Sequence, residues 1–266
     1  MDAQKKYRRL QERLKKLGSV AVAFSGGTDS ALLLYAAHEV LGDRALAFTA
    51  SSPAFPRREQ EAAEAFCRDQ GIRQVVFPAP GWEDPEVLAN PQNRCYLCKR
   101  SFLARLMELA AQEGCAAVAE GSNVDDLGDD RPGMQAVAEL GVVSPLREAG
   151  LTKAEIRALS RERNLPTWNR PASACLASRI PYGEEITVEK LRMVEQGEDY
   201  LRSLGLGQLR IRLHGTLARL ELLPEEFDRL LPLRAEVYDT LRSLGFSYIA
   251  LDLRGYRTGS LNENKA

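Results

Sequence analysis

The chain has 266 residues, 44% of them hydrophobic, and its 36 lysines and arginines nearly balance 37 aspartates and glutamates, for a net charge of -1. That length suits one large domain, or one domain with a small companion, and the near-neutral balance argues against a broad nucleic-acid footprint. No apolar run approaches the roughly 20 residues that span a bilayer, and residues 1–16 lack the apolar core of a secretory signal, so a cytoplasmic protein without membrane contact is expected. Residues 3–17 read as an amphipathic helix, and 19–24 as a short buried strand. A Gly-rich turn follows, then a helix over 30–40, a strand at 45–49, a helix over 56–70 and a strand at 73–77. Residues 101–112 form a further helix and 116–119 a fourth strand. Strands alternating with helices imply an α/β fold on a parallel sheet, which takes ligands at the carboxyl ends of its strands.

A helix over 152–163 opens on a capping box, with Thr152 as N-cap and Glu155 three residues on. The following stretch is irregular and carries Pro166, Pro171 and Pro181. We place a domain boundary there: residues 1–165 form the nucleotide domain, 166–183 a linker with one cysteine, and 184–266 a small α+β domain. The last is predicted to hold a helix over 187–204, strands at 208–213 and 218–222, a helical stretch over 224–244 and a strand at 247–251.

The turn after the first strand is Ser25-Gly26-Gly27-Thr28-Asp29-Ser30. A helix N-terminus offers unpaired backbone N–H groups and a partial positive charge. Gly26 and Gly27 let the backbone approach an anion, while Ser25, Thr28 and Ser30 add hydroxyls. Asp29 suits such a site only if it holds Mg²⁺ or caps the turn. The bland alternative is an ordinary strand-to-helix turn. The Walker pattern is absent. A second segment, from Glu120 through Gly121, Ser122, Asn123 and Val124 to Asp125 and Asp126, leaves the fourth strand at the same sheet edge. Asp125 or Asp126 suits Mg²⁺ beside polyphosphate, or else the segment is a solvated acidic loop.

Five cysteines without an export signal do not suggest a disulfide framework. Cys95 and Cys98 form a Cys-x-x-Cys pair between Arg94 and Lys99, suited to zinc, an iron–sulfur cluster or a redox disulfide. Cys175 lies in an irregular segment before Ser178 and Arg179, and neighbouring cations favour thiolate. Cys67 and Cys115 read as structural thiols. Neither histidine, His38 or His214, is near a cysteine in sequence to complete a zinc site, so three thiolates favour a [4Fe–4S] cluster with one open iron. Arg210 and Arg212 share one strand face. With Arg257 they form a phosphate clamp, or else an exposed, solvated face. Trp82 lies in the 80–92 segment, read as a lid over the cysteines.

The Ser25–Ser30 string resembles the PP-loop of the ATP pyrophosphatases, whose members transfer AMP to a substrate oxygen and release pyrophosphate. The resemblance implies an adenine nucleotide alpha hydrolase-like domain in which Ser25, Gly26, Gly27, Asp29 and Ser30 hold pyrophosphate. It sets Thr49, Ala50 and Ser51, after the second strand, near adenosine, and Lys153 on the phosphates. Joined to the strings Arg94-Cys-Tyr-Leu-Cys-Lys99, Cys175–Gly183 and Gly255–Asn262, it resembles the LarE family over nearly the whole chain. That family comprises ATP-dependent sulfurtransferases of nickel-pincer nucleotide cofactor biosynthesis. The resemblance implies ATP and Mg²⁺, a pyridinium-3,5-biscarboxylic acid mononucleotide substrate whose phosphate meets Ser178, Arg179, Arg210, Arg212 and Arg257, and a homo-oligomer such as a hexamer. One version of the family sacrifices the sulfur of the cysteine at position 175; the other holds a [4Fe–4S] cluster on three cysteines. All three stand here, which favours the cluster on Cys95, Cys98 and Cys175, with the sulfide donor left open. The rivals are tRNA thiolation, disfavoured by the neutral charge, and a non-catalytic nucleotide sensor.

Overall fold

The computed structural model describes residues 2–128, 132–171, 174–257 and 260. Thr258, Gly259, Leu261 and Asn262 of the Gly255–Asn262 string, and Ala172 and Ser173 of the 166–183 stretch, lie outside the described residues. In chain order the elements are α1 (Ala3–Leu17), β1 (Val20–Ala23), α2 (Thr28–Leu41), β2 (Ala45–Ser51), α3 (Arg57–Asp69), β3 (Gln74–Pro78) and α4 (Pro85–Leu88). Then come α5 (Arg94–Gln112), β4 (Ala117–Ala119), α6 (Pro132–Glu139), α7 (Pro145–Glu148), α8 (Lys153–Glu162), α9 (Val188–Ser203), β5 (Arg210–His214), β6 (Leu217–Glu221), α10 (Phe227–Leu230), α11 (Arg234–Ser243) and β7 (Tyr248–Leu251). They divide into two compact units: 1–84 with 93–173, and 85–92 with 174–266.

The first unit is built on a parallel sheet ordered β3-β2-β1-β4. Val22 stands opposite Ala47 on one side and Ala119 on the other, so β1 is central. Its sequence, Val-Ala-Val-Ala, shows no polar alternation because helices cover both faces. Leu10 and Leu14 of α1, Leu32 to Leu34 of α2 and Ile156 and Leu159 of α8 close one face. Phe48, Phe77 and Leu106 close the other. The order reverses at β1, and both segments that leave this region, after β1 and after β4, emerge at the carboxyl edge. The Thr152–Glu155 capping box is present and starts α8.

Three boundaries differ from expectation, each for a local reason. β2 continues through Ser51, because β3 pairs with it as far as Ser51 opposite Pro78; Thr49, Ala50 and Ser51 therefore end the strand rather than follow it. The helix expected at 101–112 begins at Arg94, so Cys95 and Cys98 lie in its first turns. Residues 224–244 break into 3₁₀ turns at Pro224–Glu226 and Leu231–Leu233, the single turn α10 and the ten-residue α11, since proline removes an N–H and clashes with the preceding turn.

The second unit has a sheet ordered β5-β6-β7, with β5 and β6 antiparallel and β6 and β7 parallel. Helix α9 crosses it closely at Gly197, where a methyl would lie 2.7 Å from Ile211 Cδ1. The 85–92 segment is fastened into this unit by Asn90, which is fully buried with a left-handed φ of 57°. Its Nδ2 donates to the carbonyls of Pro181 at 2.7 Å and Glu184 at 3.1 Å, and its own carbonyl accepts Gly183 N at 2.9 Å.

Candidate active site

The phosphate loop begins where β1 ends. Gly26 sits in the left-handed region at φ +74°, a turn that delivers the chain into α2. A side chain there would meet Ala63 Cβ at 3.2 Å. The loop hydroxyls satisfy one another: Ser25 Oγ is 3.1 Å from Ser30 Oγ, and Ser30 Oγ donates to Gly27 O at 3.2 Å. Thr28 is buried and its hydroxyl donates to Thr167 O at 2.8 Å. It was read as an anion donor, but that proton is committed to the protein, which leaves its backbone N–H for a ligand. Thr49 Oγ1 donates to Phe24 O at 3.0 Å and accepts from Gln74, tying the end of β2 to the start of the loop.

The segment after β4 packs directly behind this turn. A Cβ on Gly121 would lie 3.0 Å from Ser30 N and 3.2 Å from Ser30 Cα, so only glycine lets the two backbones approach so closely. Asn123 N donates to Asp126 at 2.8 Å, and Asp125 N donates to Asn123 Oδ1 at 2.9 Å. Lys153 N donates to Asp125 at 2.7 Å, while Lys153 Nζ pairs with Asp29. Asn123 Nδ2 also reaches Asp29, at 3.4 Å. Thus Asp29, Asn123, Asp126 and Lys153, picked from separate stretches of sequence, meet at one edge.

Glu120, quoted above without a role of its own, is the buried centre of this edge. It accepts from Ser144 Oγ at 2.6 Å, Ser122 Oγ at 2.7 Å and Lys99 Nζ at 3.3 Å. Burial pushes its carboxyl up, but Lys99 and the serine hydrogen bonds outweigh that and hold it below the usual range. Lys99 directly follows Cys98, so the ion pair ties the cysteine helix to the segment that backs the phosphate loop. The close packing of Gly133, where a Cβ would be 2.9 Å from Lys99 Cδ, fixes the lysine stem.

Cys95 is exposed and Cys98 half-buried, neither is in a disulfide, and Arg94 donates to Cys95 Sγ at 3.8 Å. Cys67 differs: burial pushes its thiol up to about 12, so it is inert near neutrality. Cys115 is also raised, by burial and then by Glu113. Among the described residues, no group of three or more His, Cys, Asp or Glu side chains is arranged to hold a metal ion.

In the second unit, Cys175 is a half-buried free thiol just before a short 3₁₀ turn, Leu176–Arg179. Arg179, read as a phosphate ligand, directs its donors into the protein instead. Nε and Nη2 go to Glu198 at 2.8 and 3.0 Å, and Nη1 to the carbonyls of Ala174 and Cys175. It therefore fixes the backbone that carries Cys175. Arg212 is held by Glu221, Ser178 O and Ser260. Arg210 donates to Leu209 O and stands 5.3 Å over the Tyr256 ring. Burial and then nearby Arg179 lower it to about 10. Arg257 donates to Gly255 O and lies 3.8 Å from Asp252. Arg210 and Arg212 do share a face, but it is buried rather than solvated. The buried carboxylates Glu198 and Glu221 that hold these arginines carried no sequence signal, because their partners are distant in sequence.

No family model matches the chain. It is 39% identical over 251 residues to the pyridinium-3,5-bisthiocarboxylic acid mononucleotide synthase of Lactiplantibacillus plantarum, covering 94% of this chain and 91% of that one. The chain belongs to the LarE family. It is an ATP-dependent sulfurtransferase of the PP-loop type. An uncharacterized protein of Synechocystis is 43% identical over 97% of each chain. The argininosuccinate synthase of Haloarcula marismortui is 30% identical over 161 residues, which make up 56% of this chain and 38% of that enzyme. That partial match, like those to GMP synthase subunits, joins this LarE chain to other PP-loop folds.

Proposed function

We propose that the enzyme adenylates a carboxylate of pyridinium-3,5-biscarboxylic acid mononucleotide and replaces its oxygen with sulfur. The observation that carries this reading is the Lys99–Glu120 link within the first unit, which joins a Cys-x-x-Cys pair to the segment packed behind a phosphate loop. A phosphate loop alone makes a leaving group; sulfur chemistry at the cysteines supplies what replaces that group.

In this reading the N–H groups of Gly27, Thr28 and Asp29 and the hydroxyls of Ser25 and Ser30 hold the pyrophosphate end of ATP, with Lys153 beside it. Thr49, Ala50 and Ser51 border the adenosine. Gly121 sets the depth of the loop, and Asn123 aligns Asp29. The substrate carboxylate attacks the α-phosphorus, an O–P bond forms, and the bond to the β-phosphate oxygen breaks, releasing pyrophosphate. Hydroxide is a poor leaving group and AMP a good one. A sulfur nucleophile then attacks the acyl carbon, and AMP departs with the carboxylate oxygen. Ser178, Arg210 and Arg257 receive the substrate phosphate, with Arg179 holding the Cys175 backbone and Arg212 holding the Ser178 carbonyl for them.

Two further groups belong to this proposal. The carboxylates of Asp29 and Asp126 are hard oxygen donors suited to Mg²⁺ shared with ATP phosphates. Cys95, Cys98 and Cys175, none of them in a disulfide, match the donor chemistry of a [4Fe–4S] cluster. When bound, such a cluster supplies sulfide to the activated carbonyl.

The test is to incubate anaerobically prepared enzyme with ATP, Mg²⁺ and the pyridinium substrate. AMP and pyrophosphate should appear only when that substrate is present, with a product mass showing oxygen-for-sulfur exchange. ADP as product would remove the adenylation step.

A further inference from the structure

Arg170 was not among the residues that the sequence brought forward, yet it reaches the phosphate loop. Its Nη1 donates to Gly26 O at 2.7 Å and lies 3.7 Å from Glu59 of α3. Its own carbonyl accepts from Arg157 of α8 at 2.9 Å, which fixes the backbone beneath it. Three residues earlier, Thr167 O receives the Thr28 hydroxyl. The Thr167–Arg170 stretch therefore grips the loop on both sides of Gly27.

The consequence follows from peptide geometry. In a trans peptide the C=O of one residue and the N–H of the next point in opposite directions. Holding Gly26 O on the Arg170 side therefore turns Gly27 N–H toward the other side. There it faces Ser25 Oγ, at a long 3.4 Å, in the pocket where Ser25 and Ser30 satisfy each other. Gly26, at φ +74° with glycine on its C-terminal side, has few steric barriers against flipping that peptide. A flip would aim a carbonyl oxygen at a bound anion in place of a donor.

We propose that Arg170 is a positioning residue for the pyrophosphate end of the nucleotide: it locks the Gly26–Gly27 peptide so that Gly27 N–H faces the phosphates. This rests on the adenylation reading above. It assigns Arg170 a role through the loop rather than through adenosine or the sulfur site, and that separation makes it testable.

The experiment is equilibrium binding of ATP, pyrophosphate and AMP to the full-length protein without the pyridinium substrate, for wild type, Arg170→Ala, Arg170→Lys and Glu59→Gln. Misdirecting one N–H that faces an anion is expected to weaken ATP and pyrophosphate by about tenfold or more in Arg170→Ala. AMP, which lacks the pyrophosphate end, should stay within about twofold of wild type. Arg170→Lys, which keeps a donor for Gly26 O, should recover most of the loss. Glu59→Gln, which removes the ion pairs of Glu59 with Arg170 and Arg58 but leaves the Arg170–Gly26 hydrogen bond, should bind all three ligands as wild type does. Unchanged ATP and pyrophosphate affinity in Arg170→Ala overturns the proposal, as does an equal loss of AMP, which would mean a general collapse of the site. A loss in Glu59→Gln as large as in Arg170→Ala also overturns it, because the ion pair would then be the operative contact. Failure of the wild type itself to bind ATP would instead refute the adenylation reading.

Discussion

The Glu198–Arg179 pair permits a quantitative test. Both side chains are 1% exposed, and Glu198 accepts two hydrogen bonds from Arg179 and one from Arg202. Burial alone would raise this carboxyl; the two guanidinium groups reverse that and lower it from 4.5 to about 2. Because the folded value lies below the unfolded one, the charge stabilises the fold above about pH 4.5, and that stabilisation is lost as pH falls toward 2. At about 1.4 kcal/mol for each pH unit between the two values, it amounts to about 3 kcal/mol at neutral pH and about 1 kcal/mol at pH 3. Breaking a buried pair from one side costs a similar amount, about 3 to 5 kcal/mol. Glu198→Gln is therefore expected to lose about 3 kcal/mol at pH 7, and the gap to wild type should narrow steadily below pH 4.5. Denaturant unfolding of both proteins from pH 7 to pH 3 measures it, because every other carboxylate titrates in both and cancels from the difference. A gap that stays constant across that range, or one below about 1 kcal/mol at pH 7, would refute the reasoning.

Other perturbations address the nucleotide and the sulfur separately. Gly121→Ala forces a methyl to within 3.0 Å of Ser30 N; strain of about 1 to 3 kcal/mol against backbone should raise the KM for ATP about tenfold in a pyrophosphate-release assay. Lys153→Met removes the partner of Asp29 and is expected to lower kcat/KM for ATP by about tenfold to a hundredfold; an unchanged value would put Lys153 outside the site. Serine at Cys95, Cys98 or Cys175 should abolish the thiocarboxylate product while pyrophosphate release persists, and Cys115→Ala should spare both, as mass spectrometry of quenched reactions would show.

Legibility followed sequence distance. The strand-turn-helix of the phosphate loop and the Thr152–Glu155 cap are local patterns, and they appear in the structure where the sequence placed them. The approach of Gly121 and Asn123 to the phosphate loop was suggested by the rule that parallel strands deliver their loops to one edge, whereas Lys153 came forward only through the family resemblance. Other roles depended on partners far along the chain. Nothing near Glu198 announces Arg179, nineteen residues earlier, and Glu120 looks like one more loop acid until Ser144 and Lys99 close around it. Arginines also mislead when read alone: strand alternation put Arg210 and Arg212 on one face correctly, but not the carboxylates that occupy it. Arg170 sits among prolines and aromatics, with no neighbouring pattern that hints at Gly26.

Asn90 has a consequence for how this chain can be made and divided. During synthesis the 85–92 segment emerges long before the carbonyls of Pro181 and Glu184 exist for its amide to bind. The second unit therefore cannot close until the chain has run past α8 and returned. The same holds for engineering: a cut after residue 173 leaves the first fragment with all of the first unit plus the stray 85–92 stretch, and the second fragment without that stretch. Exchange of the C-terminal half with a relative would leave Asn90 facing foreign acceptors. The exchangeable module is a pair of stretches, 85–92 together with 174–266, and a graft that omits the shorter one is expected to leave the longer one without its buried peg.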